Sequence, residues 1–164
     1  MAEQARGHRH WLWAILLPAG AVLGMFGDVL FVADPPVLSS VGGDLWREFI
    51  FWRDFGFSEL GQGNLALWNP YVFCGVPFFG GFQSALLYPP NWLHLMIPLV
   101  PAINWGIALH FFLAGLFMYL WAGHRGMSRP ARTLSAILFI FCGPYSLHLY
   151  PGHIMSLPAV AWAR

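Results

Sequence analysis

The chain has 164 residues, of which 58% are hydrophobic and only 9% charged, with a formal net charge of +1. A soluble domain carries about 25% charged residues, so too few charges are present to build a water-facing surface, and most of the surface must face lipid. The near-neutral balance and the lack of a basic stripe exclude nucleic acid as a partner.

The first predicted element is an apolar run from Trp11 to Ala33, broken only by Asp28 near its end. A helix of about 20 apolar residues crosses a bilayer core, so this run suffices. Arg6 and Arg9 precede it as in a signal peptide, but the run exceeds the 7–15 residues or so of such a peptide, and no small-x-small cleavage site follows. It reads as a retained anchor. Its Gly20-x-x-x-Gly24 spacing lets another helix approach closely.

A long loop covers residues 34–101, and a helix is predicted over 44–60. On a helical wheel Asp44, Arg47, Glu48, Asp54 and Glu59 share one side, while Leu45, Trp46, Phe49, Ile50, Trp52, Phe57 and Leu60 gather opposite. Arg53, Phe51 and Phe55 do not fit that division. Gly42-Gly43 and Gly61-Gln62-Gly63 punctuate the ends. An amphipathic helix rich in Trp and Phe lies flat in the membrane interface. The rest of the loop, through Trp68-Asn69-Pro70-Tyr71 and Tyr88-Pro89-Pro90-Asn91, is dense in turn-forming and aromatic residues and is expected to pack as a lid over the membrane surface. The apolar stretch 91–100 is too short to cross and reads as interfacial or re-entrant.

A second span follows over 102–123, an inner loop over 124–132, a third span over 133–150 and an outer tail over 151–164. Arg125, Arg129 and Arg132 fill the link between these two spans. With three spans, that link falls on the same side as Arg6 and Arg9, and the positive-inside rule makes this side cytoplasmic. Five of the seven acidic residues, Asp34, Asp44, Glu48, Asp54 and Glu59, sit in the opposite, extracytoplasmic loop. The expectation is an all-α integral membrane protein of the inner (plasma) membrane, multi-pass, with about three transmembrane helices, a cytoplasmic N-terminus, and a long extracytoplasmic first loop carrying an amphipathic interfacial helix. The two cysteines, Cys74 and Cys142, lie at different expected depths and read as unpaired, inert thiols.

Several strings in the loop stand in a telling order: Gly43-Asp44-Leu45, then Gly63-Asn64-Leu65-Ala66-Leu67-Trp68-Asn69-Pro70-Tyr71, Gly75-Val76-Pro77-Phe78, and Gln83-Ser84-Ala85-Leu86-Leu87-Tyr88-Pro89-Pro90. Their wording resembles bacterial YfhO-type membrane proteins, and the plan of span, acidic loop opening and interfacial helix resembles GT-C glycosyltransferases. The match covers most of residues 40–153. Such proteins carry many more spans, so the chain looks like the N-terminal piece of a larger protein. The resemblance implies sugar transfer from a polyprenyl-phosphate donor on the extracytoplasmic face, with membrane lipid, the donor, and further membrane helices or a partner subunit as partners.

That chemistry needs a base to take the acceptor's proton and cationic help for the departing phosphate. By the resemblance, Asp44 occupies the acidic position after the first span. Glu48, one helical turn on, shares its face and makes a second candidate catalytic carboxylate. Arg47 and Arg53 are the loop cations available to a phosphate, and His148 and His153 emerge on the same side as Asp44, as candidate substrate-binding residues. Each also has a simpler reading: Asp44 suits an N-cap, the other loop acids suit a wet helix face, and the histidines suit the interface. No cofactor is identified. Cys/His metal spacings, H-E-x-x-H, Walker and Rossmann motifs are absent from the sequence, and a divalent metal at the acidic residues stays open. The alternative function is a non-catalytic transport or assembly component with a structural outer loop.

Overall fold

The structure, a computed structural model, describes the backbone of residues 2–163 and the side chains of residues 12–163. The side chains of Arg6 and Arg9, on which the orientation argument leans, of Trp11 at the start of the first span, and Arg164 at the end of the tail lie outside the described residues. Helix α1 runs Ala2–Leu30, α2 Ile50–Gly61, α3 Leu99–His124, α4 Arg129–Ile140, α5 Gly143–Leu147 and α6 Ser156–Trp162.

The chain is mostly helical, and two stretches, Leu12–Leu30 and Leu99–His124, are long and apolar enough to cross a membrane. Their 19 and 26 residues reach about 28 and 39 Å at 1.5 Å per residue, against a hydrocarbon core about 30 Å thick. The two helices run antiparallel: Phe31 meets Trp105 edge-on, Phe26 meets Phe111 edge-on, and Ala14 shares a small buried cluster with Tyr119. Helix α4 returns along α3, with Ile140 against Gly115 and Arg132 against Gly123. At Gly115 three helices meet, because the Pro18 ring of α1 packs there too. The missing side chain is what lets them close up.

The expected third span over 133–150 has a different form. Helix α4 has 12 residues and ends at Ile140, Cys142 is extended, and α5 begins at Gly143. Pro144 is the physical reason. It has no N–H for the carbonyl of Ile140, and its ring would collide with that carbonyl in a continuing helix. The segment expected as an outer tail also differs. Its helix α6 packs along α3, with Leu157 and Ala161 fully buried, the Trp162 ring against Phe117, and the Trp162 indole N–H donating to the Tyr88 hydroxyl at 2.7 Å.

The long loop folds onto this bundle. Asn104, buried in α3, accepts a hydrogen bond from the Leu38 N–H at 3.0 Å and donates one to the Pro36 carbonyl at 2.8 Å, tying down the chain just after α1. A helix does form where one is predicted over 44–60. It opens with a π-helical turn, Leu45–Phe49, whose wide first loop is closed by the Ile50 N–H on the Leu45 carbonyl, and continues as α2. Its buried stripe is Leu45, Phe49, Arg53 and Phe57, a spacing of four, whereas Trp46 and Phe51 are exposed. Beyond α2 a two-stranded antiparallel hairpin forms, β1 (Trp68–Asn69) with β2 (Val76–Pro77), followed by 3₁₀ turns over Phe79–Gly81 and Pro89–Leu95. Phe57, Ala66, Phe78 and Leu86 give this region its own small apolar core.

Gly115→Val tests the three-helix contact. The added side chain would overlap Ile140 and press on Pro18, and overpacking of this kind costs about 1–3 kcal/mol. Unfolding of the purified protein in micelles should show that loss. Gly20→Ala, whose new methyl meets nothing within 4 Å, should be neutral or slightly stabilising, because Ala is the better helix former.

Candidate functional site

The residues Ser40 to Leu45 and Tyr150 to Gly152 lie against each other backbone to backbone. The Ser40 N–H donates to the Tyr150 carbonyl at 2.9 Å, the Asp44 N–H to the Pro151 carbonyl at 2.8 Å, and the Ser40 hydroxyl to the Tyr150 carbonyl at 2.6 Å. Two glycines allow the approach. A Cβ on Gly43 would sit 2.5 Å from the Pro151 oxygen, and one on Gly152, at φ +89°, would sit 2.5 Å from Leu45 Cβ.

This seam carries three of the residues singled out in the sequence to one place. His153 Nε2 lies 3.0 Å from Asp44 Oδ2, and His153 Nδ1 lies 3.3 Å from His148 Nδ1. The Asp44 carboxylate makes no capping hydrogen bond to the helix that follows; it is turned to His153 instead. The bonds link Asp44, His153 and His148 in series. With His153 donating from Nε2 to the carboxylate, its Nδ1 lone pair accepts from His148 Nδ1–H, which leaves the His148 Nε2 lone pair as a base. A proton taken there makes an imidazole–imidazolium pair whose positive charge the Asp44 carboxylate steadies through His153, as an Asp orients and steadies a catalytic imidazole without taking its proton. Both Asp44 and His153 are about half exposed, so the pair itself contributes only about 0–1 kcal/mol to stability.

The other expected residues separate from this cluster. Glu48 and Arg47 are exposed and line a cleft of about 630 Å³ with Trp52, Asp54 and Tyr71; no hydrogen bond joins Glu48 to Asp44 among the described residues. Arg53, named with Arg47 as a loop cation available to a phosphate, lies apart from that cleft's lining. Arg53 is only 3% exposed, on the buried stripe of its helix, donating to the Ser84 carbonyl at 2.5 Å and to Met155 Sδ at 3.4 Å. Burial lowers its guanidinium to about 10. Beside it, desolvation and the Arg53 charge push His94 down to about 4, so His94 is neutral at pH 7. Its ring stacks on Phe57, over which the Arg53 guanidinium also lies.

One further buried polar group, His110 in α3, has a defined role. His110 Nδ1 lies 2.6 Å from the Gly106 carbonyl, which can only accept, so the proton is on Nδ1. His110 Nε2 therefore accepts from the Tyr88 hydroxyl at 2.8 Å, which in turn accepts from Trp162. The Tyr88-Pro89-Pro90 string is thus tied to both α3 and α6. The sequence signal was a lone histidine inside an apolar span, which must find partners. Among the described residues, no group of three or more His, Cys, Asp or Glu side chains is arranged to hold a metal ion. No protein-family model, curated protein or solved structure matches the chain.

Gly152→Val should separate the two sides of the seam. Hydrogen exchange in the peptide covering residues 38–46 should speed up as the Ser40 and Asp44 amides lose their acceptors, while α3 stays protected.

Proposed function

We propose that the Asp44–His153–His148 chain is a proton-accepting unit at the membrane surface, and that the protein is the N-terminal part of a glycosyltransferase-like membrane protein using a polyprenyl-phosphate-linked sugar. The observation that carries this reading is the 3.0 Å contact between His153 and the Asp44 carboxylate, made across 109 residues of sequence and not spent on capping a helix. The loop strings that resemble YfhO-type proteins supply the choice of substrate class.

In the proposed step, an acceptor hydroxyl gives its proton to the imidazole as its oxygen attacks the anomeric carbon. The bond from that carbon to the phosphate oxygen breaks, and the lipid phosphate leaves with the electron pair. Asp44 steadies the imidazolium that forms. Arg47, exposed in the cleft with Glu48, is the cation available to the leaving phosphate. Glu48, Asp54, Trp52 and Tyr71 give that cleft the mixture of carboxylates and aromatic faces that suits a sugar ring. By the arginine distribution, this end of the bundle is extracytoplasmic.

A second reading has an observation of its own. The same two segments are already joined by backbone hydrogen bonds, so the Asp44–His153 pair also works as a latch in a non-catalytic transport or assembly component.

Asp44→Asn separates the two. Asn keeps a hydrogen bond to His153 and removes the charge, so a latch survives and a base does not. In membranes carrying the protein with its downstream helices or partner, transfer from a polyprenyl-phosphate sugar should fall about 10²–10⁴-fold, the usual contribution of a positioned acid–base group, with expression unchanged. Normal transfer in the variant returns the pair to a latch, and a complete absence of lipid-linked-sugar dependence in the intact protein removes the enzymatic reading.

Orientation has its own test. In a background lacking Cys74 and Cys142, Gln62→Cys should react with an impermeant thiol reagent in intact cells and Met127→Cys only after lysis. Both residues are exposed, so the reverse pattern would put the Asp44 end in the cytoplasm.

A further inference from the structure

Beneath α2, Arg53 and His94 border a small cavity of about 30 Å³ whose lining also includes Asn91, Ile107, His110 and Leu157. The Arg53 guanidinium is buried and makes no ion pair among the described residues. Two of its nitrogens donate to Ser84 and Met155, but Nε has no partner, and neither has His94 Nδ1. A thioether is a weak acceptor, so the positive charge is met by one backbone carbonyl and by the face of the Phe57 ring, with no carboxylate paired to it among the described residues.

An uncompensated cation in a low-dielectric interior is among the most unfavourable arrangements a fold can hold, and buried charges are as a rule paired. The two orphaned polar nitrogens belong to residues that border the same cavity. His110 borders it as well, but both of its nitrogens are already committed to Gly106 and Tyr88. About 10–15 Å³ of such space holds one water, so the cavity admits one or two particles of that size and nothing as bulky as a phosphate ester. We infer that this cavity is a binding site for a small inorganic anion of chloride size, held by Arg53 Nε–H and His94 Nδ1–H, which serves as the missing counter-ion and locks α2 onto α3 and α6.

The assignment fixes the His94 tautomer with the proton on Nδ1. It also explains why an arginine tolerates the centre of a stripe whose other members are Leu45, Phe49 and Phe57. The site is separate from the Asp44–His153–His148 chain and independent of the reaction proposed there.

Binding of radiolabelled chloride to the purified protein in detergent, with gluconate holding ionic strength constant, tests it directly. Wild type should bind saturably, with competition by bromide and none by gluconate, and its thermal midpoint should be higher in chloride than in gluconate, since a ligand that binds only the folded state stabilises it. Arg53→Met, an apolar replacement of similar length, should abolish both effects while the fold is kept, because replacing a buried charge with a packed apolar chain is often tolerated. His94→Leu, which removes one hydrogen bond to an ion, should weaken binding about tenfold or more. No saturable binding and equal midpoints in wild type would mean that water fills the cavity, and the inference falls. Unchanged binding in Arg53→Met overturns it too. If that variant yields no monodisperse protein, His94→Leu decides, and unaltered affinity there is fatal.

Discussion

The loop-bearing end of the molecule hangs on two stretches of main chain, 40–45 and 150–152, touching with no side chain between them. Gly43 and Gly152 make this contact, and each position would drive a Cβ to within 2.5 Å of the opposite strand. The carbonyls of Tyr150 and Pro151 find their donors here, which matters because an unmet carbonyl in a partly dry setting costs about 1–3 kcal/mol. The ordering of the π-helical turn, the direction in which Asp44 points and its distance to His153 all follow from that approach. A single methyl on either glycine disturbs every one of them.

The seam can form only because the helix that starts at Arg129 stops early. Had α4 run on to residue 150, His148 would have sat on a helix wall and the chain could not have doubled back. Pro144 ends the helical hydrogen-bond ladder, and the short α5 with its following turn swings 148–153 across the end of the bundle. The chain then re-enters alongside α3 as α6, where Leu157 and Ala161 are buried and Trp162 caps the Tyr88 hydroxyl. One proline thus sets both the location of the histidines and the docking of the last helix.

Beneath the loop the polar groups divide into two kinds. The Gly106–His110–Tyr88–Trp162 series is complete, each donor matched to an acceptor, and in a dry setting such a network specifies one arrangement. Asn104 likewise uses both ends of its amide on Leu38 and Pro36. Arg53 and His94 are the opposite case, with a charge and two nitrogens left over. Among the described residues Arg53 is the one buried cation, and it is left short of an anion in an interior that satisfies Asn104, His110 and Tyr88 closely, the imbalance that the inferred anion would relieve.

Apolar length and composition were enough to read the chain as mostly helical and to find the two stretches able to span a membrane, because those properties depend only on local sequence and on the thickness of a bilayer. The helix after Gly42-Gly43 was legible for the same reason. Three of its four buried residues, Leu45, Phe49 and Phe57, fall on the apolar side of the wheel, with Arg53 among them as the misfit; that the charge stays buried there was decided by α3, the start of α6 and the Ser84 turn closing over it. The break in the third expected span falls at Gly143-Pro144, where proline denies the helix both a donor and room for its ring. Which polar residues meet was decided by tertiary structure alone. Asp44 and His153 stand 109 positions apart, and their contact depends on the path of three helices, on a proline stop and on two glycines that let backbone lie on backbone, none of which a local pattern records.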